Sequence, residues 1–212
     1  MKNISLTLRT LLEHSVHLGH HSKKWNPKMS MHLLGRRNNL DIINLEHTLV
    51  MLRRALNVVN TTVKEGGTVL FVSTNTTYAR IIEDAANRAG QPYINKRLAG
   101  GTLTNYIQLS LQRKQMENNL RNVKAKRHYL DNLGLRQLTT LPSLIFVIGV
   151  KESSIILKEA SKLQIPTIGV IDTNNDPNVV TYCIPGNDDS IQAAYLYANL
   201  VANAAVDGKN EI

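Results

Sequence analysis

One cysteine, Cys183, stands in 212 residues, so no intrachain disulfide can form. A lone thiol suits a reducing compartment. No apolar run approaches the roughly twenty residues that span a bilayer. No G-x-G-x-x-G follows a predicted strand, and G-K-[ST] occurs nowhere. The usual dinucleotide and P-loop phosphate fingerprints are therefore missing. Acidic side chains are also few, 16 against 25 basic ones, leaving a net charge of +9 and a pI near 9.7. That excess points to a polyanionic partner, nucleic acid before anionic membrane.

What is present suits a globular chain: 42% apolar and 19% charged residues over a length that fits one domain. The charge is unevenly spread. Residues 1–60 carry nine basic against three acidic groups, and residues 96–136 nine against two. Residues 137–212 reverse the balance, four against eight. One face turned to polyanion and another turned away is the arrangement expected.

Periodicity gives an α/β reading. Leu6, Leu8, Leu11, Leu12 and Val16 approximate a helical stripe that Gly19 can end, and "DIINL" (Asp41 to Leu45) reads as a short strand. Leu45, Leu49, Leu52, Leu56, Val59 and Val63 form an amphipathic helix closed by Gly66 and Gly67. "TVLFV", "SLIFVIG" and "PTIGVID" are buried strands, "PYIN" a weak one and "VTYCI" an edge strand. Helices are predicted from Tyr78 to Ala89, from Ser153 to Leu163 and from Asp188 to Val206, with Asp188 at an N-cap position. Alternating strands and helices imply a parallel sheet covered on both faces. Between Asn105 and Leu141 the rhythm stops, and a sparse apolar stripe among Arg, Lys, Asn and Gln predicts exposed helices inserted in the body.

Two constellations carry the chemistry. The first runs from Glu13 to Met29, "EHSVHLGHHSKKWNPKM". His17 and His21 have the i, i+4 spacing of helix-borne metal ligands, but no glutamate fills the interval and no cysteine is near. No metal is expected there. Lys23, Lys24, Lys28, Arg36 and Arg37 instead favour contact with a polyanion, while Trp25, beside Asn26 and Pro27, reads as a packed anchor of a turn. The second is "NKRLAGGTLTN": Lys96 and Arg97 supply charge, Gly100 and Gly101 let backbone approach a phosphate, and Thr102 or Thr104 could cap a helix. It follows a strand, at the sheet edge where α/β proteins bind ligands. Asp172, Asp176, Asp188 and Asp189 lie in loops where paired carboxylates could hold Mg²⁺, though such residues more often shape turns. No nucleophile is paired with a base and an orienting group, so no catalytic residue is expected.

"HLGHHSKKWNPKM", "IINLEHT", "FVSTNTTYA", "RLAGGTLTN", "IPTIGVIDTNNDP" and "IPGNDDSIQ" occur in this order. Together, over about Leu11 to Gly208, they resemble the family of the second small-subunit ribosomal protein in its bacterial and organellar form. The resemblance implies a flavodoxin-like, doubly wound parallel sheet, one α/β domain over 1–212, with a helical hairpin inserted at 106–140. It implies a structural protein that binds small-subunit rRNA, contacts neighbouring small-subunit ribosomal proteins and supports assembly and translation. No catalysis, cofactor, membrane or small-molecule substrate is implied. Carried over by position, the RNA-facing residues are Lys23, Lys24, Trp25, Asn26, Pro27, Lys28, Arg36, Arg37, Lys96, Arg97, Gly100, Gly101, Thr104 and Asn105.

Some positions depart from the family. Leu98 stands where an aromatic residue is usual, the inserted region is shorter than the bacterial hairpin, and "LRQLTTLPS" replaces a glycine-rich approach to the next strand. The start of the chain is too short for a signal peptide and runs at once into a helical pattern. With the abundant asparagine, these features point to a chain encoded and used inside a mitochondrion; a bacterial cytoplasm or a plastid is the alternative. The competing function is a nucleotide-binding enzyme or regulator on the same fold.

Overall fold

The structure, a computed structural model, describes residues 6–96, 100–108, 110–111 and 140–211. Five strands form a parallel sheet: β4 (Val69–Val72), β5 (Tyr93–Ile94), β6 (Leu144–Val147), β7 (Thr167–Ile171) and β8 (Tyr182–Pro185). Their spatial order is β5-β4-β6-β7-β8. The chain steps outward from β4 to β5 and then returns to the other side of β4, which is the doubly wound, flavodoxin-like order. β8 lies at the edge, as its sequence predicts.

The strands are apolar throughout because both faces are covered. Val69, Phe71, Leu144, Phe146, Ile168 and Val170 point to a layer made by α2 (Leu45–Lys64), α3 (Ala79–Ala89) and α5 (Ile191–Asn210). Leu70, Val72, Ile145, Val147 and Ile171 point the other way, against Ile156, Leu157 and Ala160 of α4 (Ser154–Lys162). Met29 and Leu103 join this second cluster. Phe71 and Phe146 meet edge to face, their centroids 5.6 Å apart. No helix among the described residues is long and apolar enough to cross a membrane.

Three readings of the sequence are corrected here. The first helix, α1 (Leu8–Glu13), stops short of Gly19, which lies within a strand, β1 (Leu18–His21). β1, β2 (Leu33–Arg37) and β3 (Leu40–Ile43) form an antiparallel sheet in the order β1-β3-β2. Its β2–β3 turn is Asn38-Asn39, with φ of 51° and 61°, the left-handed pair that a two-residue hairpin needs. Asp41 to Leu45 is thus only partly strand, since Leu45 opens α2 behind an Asn44 cap. Finally, the cap of α5 is Ser190, which accepts from the Ala193 amide, and not Asp188. His17 and His21 therefore lack the helical spacing that suggested paired ligands, because His21 ends a strand and His17 precedes it.

Arg97 and most of the expected insertion, residues 112–139, lie outside the described residues.

Candidate nucleic-acid interface

The basic stretch is held by its uncharged members. Asn26 donates its amide to the Thr173 carbonyl (2.7 Å), tying the loop to the end of β7. Its side chain accepts from the Lys28 amide (3.0 Å), and Pro27 opens the 3-10 helical turn Pro27–His32. Met29 is fully buried in the second core cluster. Asn26, Pro27 and Met29 thus act as a clasp that points the lysines away from the body.

The cations divide into engaged and free. Arg36 donates from Nε to the buried Asp41 carboxylate (2.9 Å) and lies 5.0 Å over the Trp25 ring. Trp25 is half-buried beneath it, so it packs as the sequence predicts, with one face taken by Arg36. Lys28 pairs with Asp176, whose carboxyl is held below its usual range chiefly by the Lys28 ammonium and then by the Asn178 amide. Lys23, Lys24 and Arg37 are exposed and form no ion pair among the described residues.

The glycine turn is anchored through Leu103, in the same cluster as Met29, so both constellations sit on one side of the sheet. Its backbone amides do not point freely outward. The Gly101 and Leu103 N–H groups donate to the Glu159 carboxylate at 2.6 and 2.7 Å, and the Thr104 N–H at 3.1 Å. An internal carboxylate therefore fills the nest that sequence reasoning offered to a phosphate. Gly101 has φ of +92°, and a Cβ there would lie 2.9 Å from the Asn105 side-chain nitrogen. Gly100 has open space around it, and Lys96, Thr104 and Asn105 are exposed. Nothing in the local sequence of Ser154–Lys162 marks Glu159 for this task; only its burial on a helix face, amid Ile156, Leu157 and Ala160, betrays it.

A family model described as ribosomal protein S2 matches residues 11–208. The chain belongs to the ribosomal protein S2 family. Among curated proteins it is 45% identical to small ribosomal subunit protein uS2 of Gluconobacter oxydans over 219 residues, covering 95% of this chain and 83% of that protein. The uS2 proteins of Sinorhizobium medicae and Rhizobium meliloti are each 43% identical, over 95% of this chain and 86% of theirs. The S2 family match runs through both basic constellations and both ends of the parallel sheet. These relatives are bacterial, and the match is to a family of structural proteins.

Proposed function

We propose that this chain is a structural constituent of the small ribosomal subunit that binds small-subunit rRNA through its basic loops and contacts neighbouring ribosomal proteins there. The observation that carries this reading is the trio Lys23, Lys24 and Arg37, left without acidic partners among the described residues, the lysines beside the Asn26 clasp and Arg37 at the end of β2. Free cations on a rigid support neutralise phosphates without first breaking an internal ion pair. Lys28, Arg36 and Trp25 shape that surface and give it register. Lys96, Arg97, Gly100, Thr104 and Asn105 extend it from the glycine turn, where side chains and the exposed Gly100 backbone do the work that the engaged amides cannot. Residues 106–140 form an insertion in the single α/β body.

The finer placement is the mitochondrial matrix, within the mitoribosome. It is supported by the abundant asparagine and by the short insertion that the family resemblance implies. Detection of the chain in small subunits from purified mitochondria, and its absence from cytosolic ribosomes, tests this placement.

Co-sedimentation tests the function. The tagged chain is expected in the small-subunit peak of a sucrose gradient, and the free chain is expected not to bind ATP, GTP or flavin mononucleotide at micromolar concentration. Exclusion from the subunit together with stoichiometric nucleotide binding would replace the proposal by the enzyme or regulator reading.

A further inference from the structure

The histidine that matters at the carboxyl edge of the sheet is His20, and its surroundings come from residues more than 150 positions away. β1 lies close against the chain that leaves β7 because position 19 has no side chain. A Cβ on Gly19 would strike the Thr173 side chain and come within 2.9 Å of the Asp41 carbonyl oxygen. The close approach lets the His20 amide donate to Thr173 Oγ1 (2.9 Å) and sets the imidazole between two loops.

On one side of the ring, Nδ1 meets Asp172 Oδ2 at 3.0 Å. Asp172 is buried, with its side chain 1% exposed, and its other oxygen accepts from the Thr173 amide. Both oxygens are thus committed, one of them to orienting the ring. On the other side, Nε2 has two neighbours that make opposite demands. Asp189 Oδ2, at 3.1 Å, needs a proton on Nε2; Asn174 Nδ2, at 3.0 Å, needs a lone pair there. One nitrogen cannot meet both. The buried Asn174 Oδ1 meanwhile has no hydrogen-bond partner. The two ends of an amide are nearly isosteric, and turning this one over places Oδ1 against Nε2. Two oxygens then lie 3.1 and 3.0 Å from one ring nitrogen, three lone-pair donors in all.

We propose that His20 Nε2, Asp189 and Asn174 Oδ1 form a binding site for a divalent cation, with Zn²⁺ as the ion. A carboxylate that accepts the N–H of the far ring nitrogen is what a metal-bound histidine usually has, and Asp172 supplies it at Nδ1. The donor–donor separations of 3.0 and 3.1 Å are close to the roughly 3.3 Å edge of a tetrahedron with bonds of about 2.0 Å. An imidazole beside carboxylate and amide oxygens favours zinc over magnesium, which prefers oxygen alone and keeps its water. Three protein donors leave a fourth position for water. The ion also offsets a gathering of acidic groups, since Asp172, Asp188 and Glu152 lie near enough to interact and His20 is the base among them. This site departs from the expectation of no metal in Glu13–Met29, which weighed the His17–His21 pair and had no sight of Asp189 and Asn174 arriving from the far end of the chain.

Zinc titration of the apo full-length chain, with elemental analysis after dialysis, tests the site. One Zn²⁺ per chain is expected, and Co²⁺ in its place is expected to give the visible absorption of a four-coordinate ion. Asp189→Asn, at a position 73% exposed and so safe for folding, is expected to weaken binding at least ten-fold. His20→Gln is expected to abolish it, whereas His21→Gln, on the exposed neighbour, is expected to retain it. Circular dichroism of each variant establishes that the fold is kept. No stoichiometric zinc at micromolar concentration, zinc binding indifferent to Asp189→Asn, or binding of Mg²⁺ in preference to Zn²⁺ would each overturn the proposal. The first result would leave His20 as an imidazolium between its carboxylates.

Discussion

Glu159 accepts three backbone N–H groups from the glycine turn, and it does so from the buried face of α4. Removing its carboxylate strands donors in a place with little water, at about 1–3 kcal/mol for each one left unpaired. Glu159→Ala is therefore expected to lower the thermal midpoint clearly, and Glu159→Gln less, because an amide oxygen still accepts. The turn also depends on Gly101, whose φ of +92° suits no β-branched residue. Gly101→Val is expected to cost on the order of 1–3 kcal/mol of strain. Both changes break the same turn, so the double variant Glu159→Ala, Gly101→Val should be less unstable than the two costs added. Denaturant melts of the four proteins measure this. Strict additivity would mean that the carboxylate and the glycine serve separate structures. The glycine was legible in the sequence as a turn; its carboxylate partner was not, because it arrives from another part of the chain.

At the level of elements, legibility followed the range of the interactions that form them. α2 and α3 have apolar side chains at helical spacing, and the parallel strands are short apolar runs, so each announced itself locally. β1 and β2 did not. "LGHH" and "LLGRR" carry no alternation, and they become strands by pairing with β3. The basic residues of the interface were visible for the same local reason, as a charge run. Which of them are free was hidden, since Asp41 and Asp176 engage Arg36 and Lys28 across other elements. The 3-10 turn Pro27–His32 meets the start of α2 through two imidazoles, His32 and His47, whose centroids are 5.9 Å apart. Burial, and then the neighbouring His47, hold His32 below its ordinary value. The unfolded chain thus takes up a proton near pH 6.5 that the folded chain refuses, so stability is full above that pH and falls as pH drops through and below it. His20 and Asp188, both raised, act in the opposite direction over the same range, so the comparison is between proteins: between pH 7.5 and 5.5, His32→Asn should lose less urea midpoint, or gain more, than the parent chain. An unchanged difference would assign the acid sensitivity to another group.

Over the whole molecule, charges of both signs meet at the carboxyl edge of the sheet. That edge carries the clasped cationic loop together with Asp172, Asp176, Asp188 and Asp189 from the segments that follow β7 and β8. Family membership and the net charge of +9 agree on a polyanion, and the pairing pattern says how the work is divided. Each cation that neutralises an RNA phosphate contributes roughly 0.7–0.9 to the slope of log K against log salt, through release of a condensed counterion. On the proposed interface Lys23 and Lys24 would give up no ion pair among the described residues, so each should contribute nearly that full amount. Lys28 must share its ammonium with Asp176, or leave it, before it reaches a phosphate. Binding of the free chain to a small-subunit rRNA fragment, measured from low to moderate salt, separates these roles. Lys23→Ala with Lys24→Ala is expected to flatten the slope by about 1.4–1.8. Lys28→Ala should flatten it by much less and weaken binding mainly by loosening the loop. Asp176→Asn supplies the opposite sign, since it frees Lys28 and should steepen the slope. If Lys28→Ala flattens the slope by about 0.7–0.9, as much as the loss of one free lysine, the ion pair with Asp176 does not survive on the RNA and the division of labour is wrong.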